Sequence, residues 1–195
     1  MLMLLSHTRQ RTFTRRSSSL LTGLLWIGLV LALSGAARAQ RGGIGSHAPL
    51  FRLQTIPGSW VALRKLRGSK VVLVVGMKQE AAPRCKAWMQ ALVKRYPPRK
   101  QHKVEVYQVV VVDKSWYIPR SLVLSKLKGF VGKAYHDRFL IEWYRGFAEQ
   151  YQVPKSTLPV VFVIDEKGVI RYRTRDTITK QRFATLIATI DRNAQ

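Results

Sequence analysis

The stretch VVLVVGMKQEAAPRCKAWMQAL, residues 71–92, decides the fold of this chain. Its first five residues, Val71–Val75, form a short continuous apolar run that is typical of a strand buried on both faces. Gly76 ends the run, and Pro83 follows a polar connection. Beyond it, apolar residues recur at one-turn spacing and predict a helix: Cys85, Trp88, Met89, Leu92 and Val93. The stretch therefore predicts a buried strand that leads into a helix with a cysteine in its first turn.

Upstream of this stretch, the first 39 residues are predicted to be a targeting segment. Its basic region contains Arg9, Arg11, Arg15 and Arg16. The apolar run Leu20–Leu33 follows, and Ala37-Arg38-Ala39 is an A-x-A cleavage site, so Gln40 is the expected mature N-terminus. We therefore predict a periplasmic or secreted protein with a cleaved signal peptide. The alternative is a protein anchored to the membrane by an uncleaved N-terminal segment.

The chain has a large excess of basic side chains, with 34 Lys and Arg against 10 Asp and Glu in 195 residues. Removal of residues 1–39 takes away five arginines and no acid, which leaves a formal charge of about +19. The remaining length suits one domain over residues 48–192, with residues 40–47 as a flexible lead-in. The single cysteine excludes an intrachain disulfide, so the core must provide the stability.

Apolar patterns and turn residues predict the other elements of the domain. Two short strands around the turn pair Pro57-Gly58 predict a hairpin before the buried strand. The predicted elements are strands Leu50–Leu53, Trp60–Leu63, Val104–Val112, Val160–Ile164 and Val169–Tyr172, and helices Ser121–Tyr135, His136–Tyr151 and Thr179–Arg192. Gly168 is expected in the left-handed conformation of the last hairpin. Four aromatic residues of the second helix are expected to pack in the core: Phe139, Trp143, Phe147 and Tyr151.

Two sets of residues resemble the redoxin and peroxiredoxin-type branch of the thioredoxin-like proteins. The first is an ordered set before the buried strand: Ala48, Pro49, Phe51, Leu53, Gly58, Val61, Leu63, Leu66, Gly68 and Lys70. The second is Thr157-Leu158-Pro159, where thioredoxin-like domains place a cis-proline directly before a strand. The resemblance implies an α/β fold, a thioredoxin-like three-layer sandwich whose central mixed sheet has an N-terminal β-hairpin. A looser likeness, in the scarcity of cysteine and the loop near Pro119, is to YtfJ-type periplasmic proteins.

Cys85 is the candidate catalytic residue, and the family pattern admits two registers for it. In the first, the sequence after Cys85 resembles that after the second cysteine of C-x-x-C, so Ala82 occupies the place of the missing nucleophile. In the second, Cys85 is a peroxidatic cysteine, but Lys78 and Ala82 stand where Pro and Thr are required. The alternative to both is a structural thiol in the core. Arg84 and Lys86 flank the thiol at the helix start, where both would lower its pKa.

The resemblance also implies a peptide-binding groove between the cysteine-bearing helix and the loop before Val160. Its candidate residues are Pro83, Arg84, Thr157, Leu158 and Pro159. Because the backbone beside a cis-proline can hydrogen-bond an extended peptide without any cysteine, we predict a binding or assembly module with a protein or peptide partner in the cell envelope. The alternative is an enzyme that uses Cys85, either a monothiol thiol-disulfide oxidoreductase or a peroxide-reducing protein.

Two clusters of basic residues form a candidate polyanion-binding surface. One cluster has no acidic neighbour and contains Lys94, Arg95, Arg99, Lys100 and Lys103. The other is Arg171, Arg173 and Arg175, which alternate and so share one face of a strand. A third functional class is therefore a basic surface protein that binds anionic lipid or polysaccharide, whereas we do not expect nucleic acid. The alternative is a solvated face whose arginines protect an edge strand from aggregation.

Other motifs of catalysis or cofactor binding do not occur in the sequence. The histidines after the targeting segment are His47, His102 and His136, which lie on separate segments without ligand spacing, so we predict no metal site. The acidic residues are scattered, with no pair suited to acid–base catalysis. There is no Walker loop and no G-x-G-x-x-G motif, so we predict no nucleotide cofactor.

Overall fold

The computed structural model describes residues 42–97, 103–112 and 118–192 of the chain. The predicted targeting segment, its cleavage site and the expected mature N-terminus at Gln40 lie outside these ranges. Of the helices within them, none combines the length and the apolar character that a bilayer crossing requires.

Seven strands form one mixed sheet in the order β2-β1-β5-β4-β3-β6-β7. They are β1 Arg52–Thr55, β2 Trp60–Ala62, β3 Lys70–Gly76, β4 Val104–Val111, β5 Phe139–Glu142, β6 Val160–Ile164 and β7 Ile170–Arg175. The pairs β3–β4 and β4–β5 are parallel, and the other four neighbouring pairs are antiparallel. The predicted mixed sheet with an N-terminal hairpin is therefore confirmed.

The most apolar runs of the sequence form the centre of the sheet. Every residue of β3 and β6 is buried, as expected for strands that are covered on both faces. The bounds of β6 are those predicted, and β3 extends the predicted run by one residue at each end. β1 begins two residues later than predicted, because Leu50 is exposed and lies before the pairing with β2.

The helices and loops cover the two faces of this sheet as separate layers. The α-helices are α1 Ala82–Arg95, α2 Arg120–Phe130, α3 Gly146–Gln150 and α4 Lys180–Arg192. One face carries α1 and α4 over β3 and β6, and α2 farther along over β4 and β5. The other face is covered by α3 and by the segments around Phe51 and Leu63. These layers confirm the predicted three-layer sandwich.

The prediction of a helix over His136–Tyr151 is wrong. Residues Phe139–Glu142 form strand β5, which lies between β1 and β4 with all four residues buried. A 3-10 helix, Lys133–Arg138, precedes the strand, and the only α-helical part of the segment is α3. A strand that is buried on both faces lacks the two-residue alternation that would have distinguished it from a helix. The four-residue spacing of aromatic residues then indicated the wrong element.

The aromatic residues of this segment nevertheless pack in the core, as predicted. Phe147 and Tyr151 stack with their ring centroids 4.2 Å apart, and Phe51 meets the Phe147 ring edge-on at 5.6 Å. The Tyr151 hydroxyl donates a hydrogen bond to the Pro49 carbonyl at 2.7 Å. Trp143 is buried on the other face of the sheet, in the cluster against which α2 packs. These contacts connect the N-terminal segment to the sheet without any disulfide.

The prediction of a cis bond between Leu158 and Pro159 is also wrong, because no peptide bond in the described residues is cis. Trans is the lower-energy isomer of an X–Pro bond by about 0.5–1 kcal/mol. The Leu158 N–H donates to the Ser156 hydroxyl oxygen at 3.0 Å, so the loop is held by a local hydrogen bond. Pro159 is still buried directly before β6, at the position that the resemblance assigned to it.

Candidate functional site

The candidate site lies where β3 ends and α1 begins. A one-turn 3-10 helix, Gln79–Ala81, connects the strand to α1. Pro83 lies in the first turn of α1, where backbone N–H groups have no partner within the helix. The proline therefore costs no intrahelical hydrogen bond. Ala82 and Pro83 are both exposed. The helix therefore starts at the surface and directs its fourth residue, Cys85, back toward the sheet.

Cys85 lies inside the domain and not at its surface. Its side chain is 1% exposed and belongs to the cluster formed by α1, α4 and the sheet. A Cβ atom added at Gly76 would lie 3.0 Å from the Cys85 sulfur, which places that sulfur against the end of β3. Ala81 and Trp88, both fully buried, belong to the same cluster. The geometry is that of a packed core thiol.

Burial raises the pKa of the Cys85 thiol from 9.0 to about 12, although a hydrogen bond from its own backbone acts in the opposite direction. The expectation that Arg84 and Lys86 would lower this pKa is therefore wrong. Lys86 is exposed, and the Arg84 guanidinium turns away to bind two backbone carbonyls. Because the thiolate is the nucleophilic form of cysteine, this burial disfavours the reactive form at neutral pH.

Arg84 connects the two sides of the predicted groove. Its Nη1 donates to the Glu80 carbonyl at 3.2 Å and to the Thr157 carbonyl at 3.4 Å. Thr157 is exposed and Leu158 is half-buried. The structure thus places Arg84, with Pro83 beside it in the chain, against Thr157 at the surface, whereas Pro159 is buried. The Leu158 N–H is already bonded to the Ser156 hydroxyl oxygen, so it is not free to bond a peptide.

Two of the three arginines of β7 are engaged in internal contacts. Arg171 Nε is 2.7 Å from a carboxylate oxygen of Asp165. Arg173 donates to the carbonyls of Gly42 and Gln152, at 2.9 and 2.7 Å, and stacks on the Phe162 ring. Burial, followed by the nearby Arg175 charge, lowers the pKa of Arg173. β7 is an edge strand, so these contacts agree with the alternative in which the arginines support and protect that edge.

The other basic cluster is only partly described by the structure. Arg99 and Lys100 lie outside the described residues. Lys94 and Lys103 are exposed, and Arg95 pairs with Asp191 at 3.5 Å in an exposed contact. Across residues 42–97, 103–112 and 118–192, no group of three or more His, Cys, Asp or Glu side chains could hold a metal ion.

Two acidic residues with structural roles were not identified from the sequence. Asp165 accepts hydrogen bonds from the Lys167 and Val169 N–H groups, at 3.0 and 2.7 Å, in addition to its Arg171 contact. Glu142 is buried and accepts from the N–H groups of Tyr144 and Phe147, at 2.7 and 3.0 Å. The position of Asp165 beside a Gly-containing turn is the sequence feature that could have indicated its role. Glu142 follows an apolar run that the aromatic spacing assigned to a helix, so no sequence feature indicated its structural role.

The sequence profile of the AhpC/TSA family matches residues 44–173. A comparison with curated proteins found no significant match. Among solved structures, the exposed lipoprotein thioredoxin of Streptococcus pneumoniae is similar, with a TM-score of 0.56 at 19% identity over 71% of this chain and 98% of that chain. The thioredoxin domain of a thiol-disulfide oxidoreductase from Bacteroides vulgatus gives a TM-score of 0.56 at 17% identity, over 76% and 98%. A secreted disulfide oxidoreductase of Mycobacterium tuberculosis gives 0.52 at 14%, over 71% and 94%.

Proposed function

Because this chain belongs to the AhpC/TSA family, we propose that it is an exported redoxin-fold protein that binds an extended segment of a partner protein and does not turn over a dithiol–disulfide pair. The observation that carries the proposal is the position of its one thiol. Cys85 is 1% exposed, lies against Gly76, and has a pKa of about 12. The surface above it, formed by Ala82, Pro83 and Thr157, is exposed.

The chemistry of thiol–disulfide exchange argues against turnover at this site. Exchange needs an accessible thiolate to attack and a second thiol to resolve the mixed disulfide. This chain contains one cysteine, so no second thiol comes from within it. The burial that raises the pKa of Cys85 also restricts the approach of a disulfide or a peroxide. The enzyme alternative would require the start of α1 to open first.

The groove residues support binding of a peptide from another protein. Arg84 is half-buried and already donates to a carbonyl across the groove, so the same guanidinium could donate to a partner's carbonyl or carboxylate. Pro83 and Thr157 present an exposed surface on either side of it. Among the described residues, the Thr157 carbonyl accepts only the 3.4 Å hydrogen bond from Arg84, which a partner's N–H could replace. The expected partner is therefore an extended segment with polar backbone exposed.

The location in the cell envelope belongs to the same proposal. It rests on the predicted signal peptide, residues 1–39, with Gln40 as the mature N-terminus. Two similar structures come from proteins named as an exposed lipoprotein and as a secreted oxidoreductase, which agrees with an exported product. Mass spectrometry of protein isolated from the envelope tests this part. Intact protein in the cytoplasm would exclude export.

A redox comparison tests the proposed absence of turnover. The wild-type protein and the Cys85→Ala variant are assayed for insulin reduction with dithiothreitol and for peroxide consumption. The proposal expects the two proteins to be equal in both assays, because the buried thiol takes part in neither. Faster turnover by the wild type, with a sulfenic acid trapped at Cys85, would establish the enzyme alternative.

A peptide selection tests the proposed binding site. Peptides are selected from a random display library on the wild-type protein and their affinities are then measured for variants. Thr157→Trp should fill the groove and weaken binding at least tenfold, and Arg84→Ala should weaken it by less. Gln150→Trp, at an exposed position of α3 on the other face of the sheet, is the matched control. Equal binding by Thr157→Trp and Gln150→Trp would exclude this groove as the site.

A further inference from the structure

One face of helix α2 is not covered by other residues that the structure describes. None of its eleven residues is buried. Val123, Leu124 and Leu127 pack, partly buried, against the cluster over β4 and β5. Away from that face, Leu122 is 49% exposed and Phe130 is 83% exposed. Since Lys126 is exposed between them at four-residue spacing, the three side chains form one stripe along the helix.

The charged side chains of α2 itself are all basic. No Asp or Glu occurs from residue 118 to residue 136. The basic residues of that segment are Arg120, Lys126, Lys128 and Lys133. The three lysines are exposed, whereas Arg120 lies over the Trp143 and Tyr144 rings at 5.2 and 5.4 Å. The surface therefore combines large apolar side chains with lysines whose long stems let the ammonium groups extend beyond them.

We propose that the stripe Leu122–Lys126–Phe130 of α2 is a docking surface for an anionic lipid bilayer. Large apolar side chains flanked by lysines are the composition of helices that lie in the membrane interface. Leu122 and Phe130 would enter the boundary of the acyl chains, and the lysines would contact acidic headgroups. A second copy of the chain is a poor occupant, because it would bring the same lysines against each other. This surface is separate from the proposed groove and does not depend on it.

A fluorescent label on α2 of the full chain tests this proposal. Gly129→Cys places the label beside the stripe, where an added side chain meets no other atom within 4 Å. Cys85→Ala in the same protein removes the native thiol. The vesicles are phosphatidylcholine alone or a 3:1 mixture with phosphatidylglycerol, and each contains a lipid-attached quencher. The apolar run Leu20–Leu33 could itself attach the full chain to vesicles. The measurement is therefore quenching of the label on α2, which reports contact of α2 with the bilayer, and not binding of the whole chain.

Three further proteins control this measurement. Gln150→Cys carries the same label on α3, on the other face of the sheet. Leu122→Ser with Phe130→Ser removes the apolar part of the stripe without a buried residue being changed. Ile44→Ser with Leu50→Ser removes two exposed apolar side chains elsewhere. We expect the label at position 129 to be quenched at least fivefold more on anionic than on neutral vesicles. The stripe variant should lose this difference, and the Ile44 and Leu50 variant should keep it.

Several results would overturn the proposal. One is the absence of quenching at position 129 on anionic vesicles. The others are equal quenching on anionic and neutral vesicles, and unchanged quenching in the stripe variant. Lys126→Gln should weaken binding of α2 to anionic vesicles by about fivefold, because it removes one charge near such a surface. A label response to soluble polyglutamate but not to vesicles would assign the stripe to an acidic protein. A response that grows with protein concentration alone would assign it to self-association.

Discussion

The sulfur of Cys85 lies against Gly76, so closely that a Cβ atom at position 76 would be 3.0 Å from it. Gly76 is the last residue of β3, and Cys85 is in the first turn of α1. The contact therefore packs the first turn of α1 against the end of β3, at the corner where the resemblance places the redox-active cysteines. The thiol fills space in this corner. We infer that it stabilises the packing of α1 on the sheet.

The Gly76–Cys85 contact predicts coupling between substitutions at the two positions. Gly76→Ala in the wild type should be destabilising, because the new methyl group and the sulfur cannot both keep their places. In a Cys85→Ala background the same change should cost about 1 kcal/mol less, within the range of measured couplings between contacting residues. Urea unfolding of the four proteins gives the coupling free energy. Additive effects would show that the corner is not packed as described.

A second thiol at position 82 tests the register of the helix. Ala82 is the exposed first residue of α1, three residues before Cys85. Ala82→Cys should therefore form an internal disulfide on mild oxidation and gain at least trace insulin reduction, because the pair would have C-x-x-C spacing. Gln90→Cys, an exposed position five residues after Cys85, is the control and should not form one. Absence of the disulfide in Ala82→Cys would reject this register.

Asp165 predicts a loss of stability at low pH. Burial acts to raise the pKa of its carboxyl group, but hydrogen bonds from the Val169 N–H and from Arg171 outweigh it, so the pKa lies below 3.8. The stabilisation is complete above the unfolded pKa and is lost as the pH falls through the lower, folded value. Asp165→Asn should cost about 1–3 kcal/mol at pH 7 and progressively less toward pH 2.

The measurement for this prediction is the free energy of unfolding as a function of pH. Asp137→Asn, at an exposed aspartate, is the matched control and should change it by less than about 0.5 kcal/mol. A constant difference between wild type and Asp165→Asn from pH 7 to pH 2 would contradict the role of the charge.

Glu142 predicts a large stability cost for a residue far from the groove. Its buried carboxylate accepts the N–H groups of Tyr144 and Phe147, which begin the turn into α3. Glu142→Ala removes the acceptor of both N–H groups, and the loss at the buried Phe147 N–H should cost about 1–3 kcal/mol. Glu149→Ala, at an exposed position of α3, should cost less than about 0.5 kcal/mol. Equal unfolding free energies for the two variants would show that water replaces the carboxylate.

Much of the fold was predictable because its central elements have strong and distinct patterns. The apolar runs of β3 and β6 and the four-residue periodicity of α1 and α4 indicate one element each. The hairpin turn at Gly168 was predicted from the sequence and has the positive φ that the turn requires. The segment from 136 to 151 was not predictable in this way, since Phe139–Glu142 is apolar at every position but the last.

The position of the candidate site could be predicted from the sequence, but the burial and pKa of its thiol could not. The sequence positions Cys85 at a helix start, yet neighbouring arginine and lysine side chains say nothing of how deeply a thiol is packed. The contact of the Cys85 sulfur with Gly76 and the direction of the Arg84 side chain are visible only in the structure. They explain why burial affects the pKa of the thiol more than the nearby charges do. The isomer of the Leu158–Pro159 bond was equally beyond the sequence, because the two isomers differ by only about 0.5–1 kcal/mol.

The rate at which folded protein reacts with iodoacetamide at Cys85 tests the central claim most directly. With a pKa raised from 9.0 to about 12, the thiolate fraction at pH 8 should be roughly a thousandfold lower than in unfolded protein. We predict alkylation, followed by mass spectrometry, that is at least a hundredfold slower in the folded than in the urea-unfolded protein. Between pH 9 and pH 12 the folded rate should keep rising while the unfolded rate levels off. Equal rates at pH 8, or a sulfenic acid formed rapidly with hydrogen peroxide, would contradict the account and make Cys85 a reactive thiol.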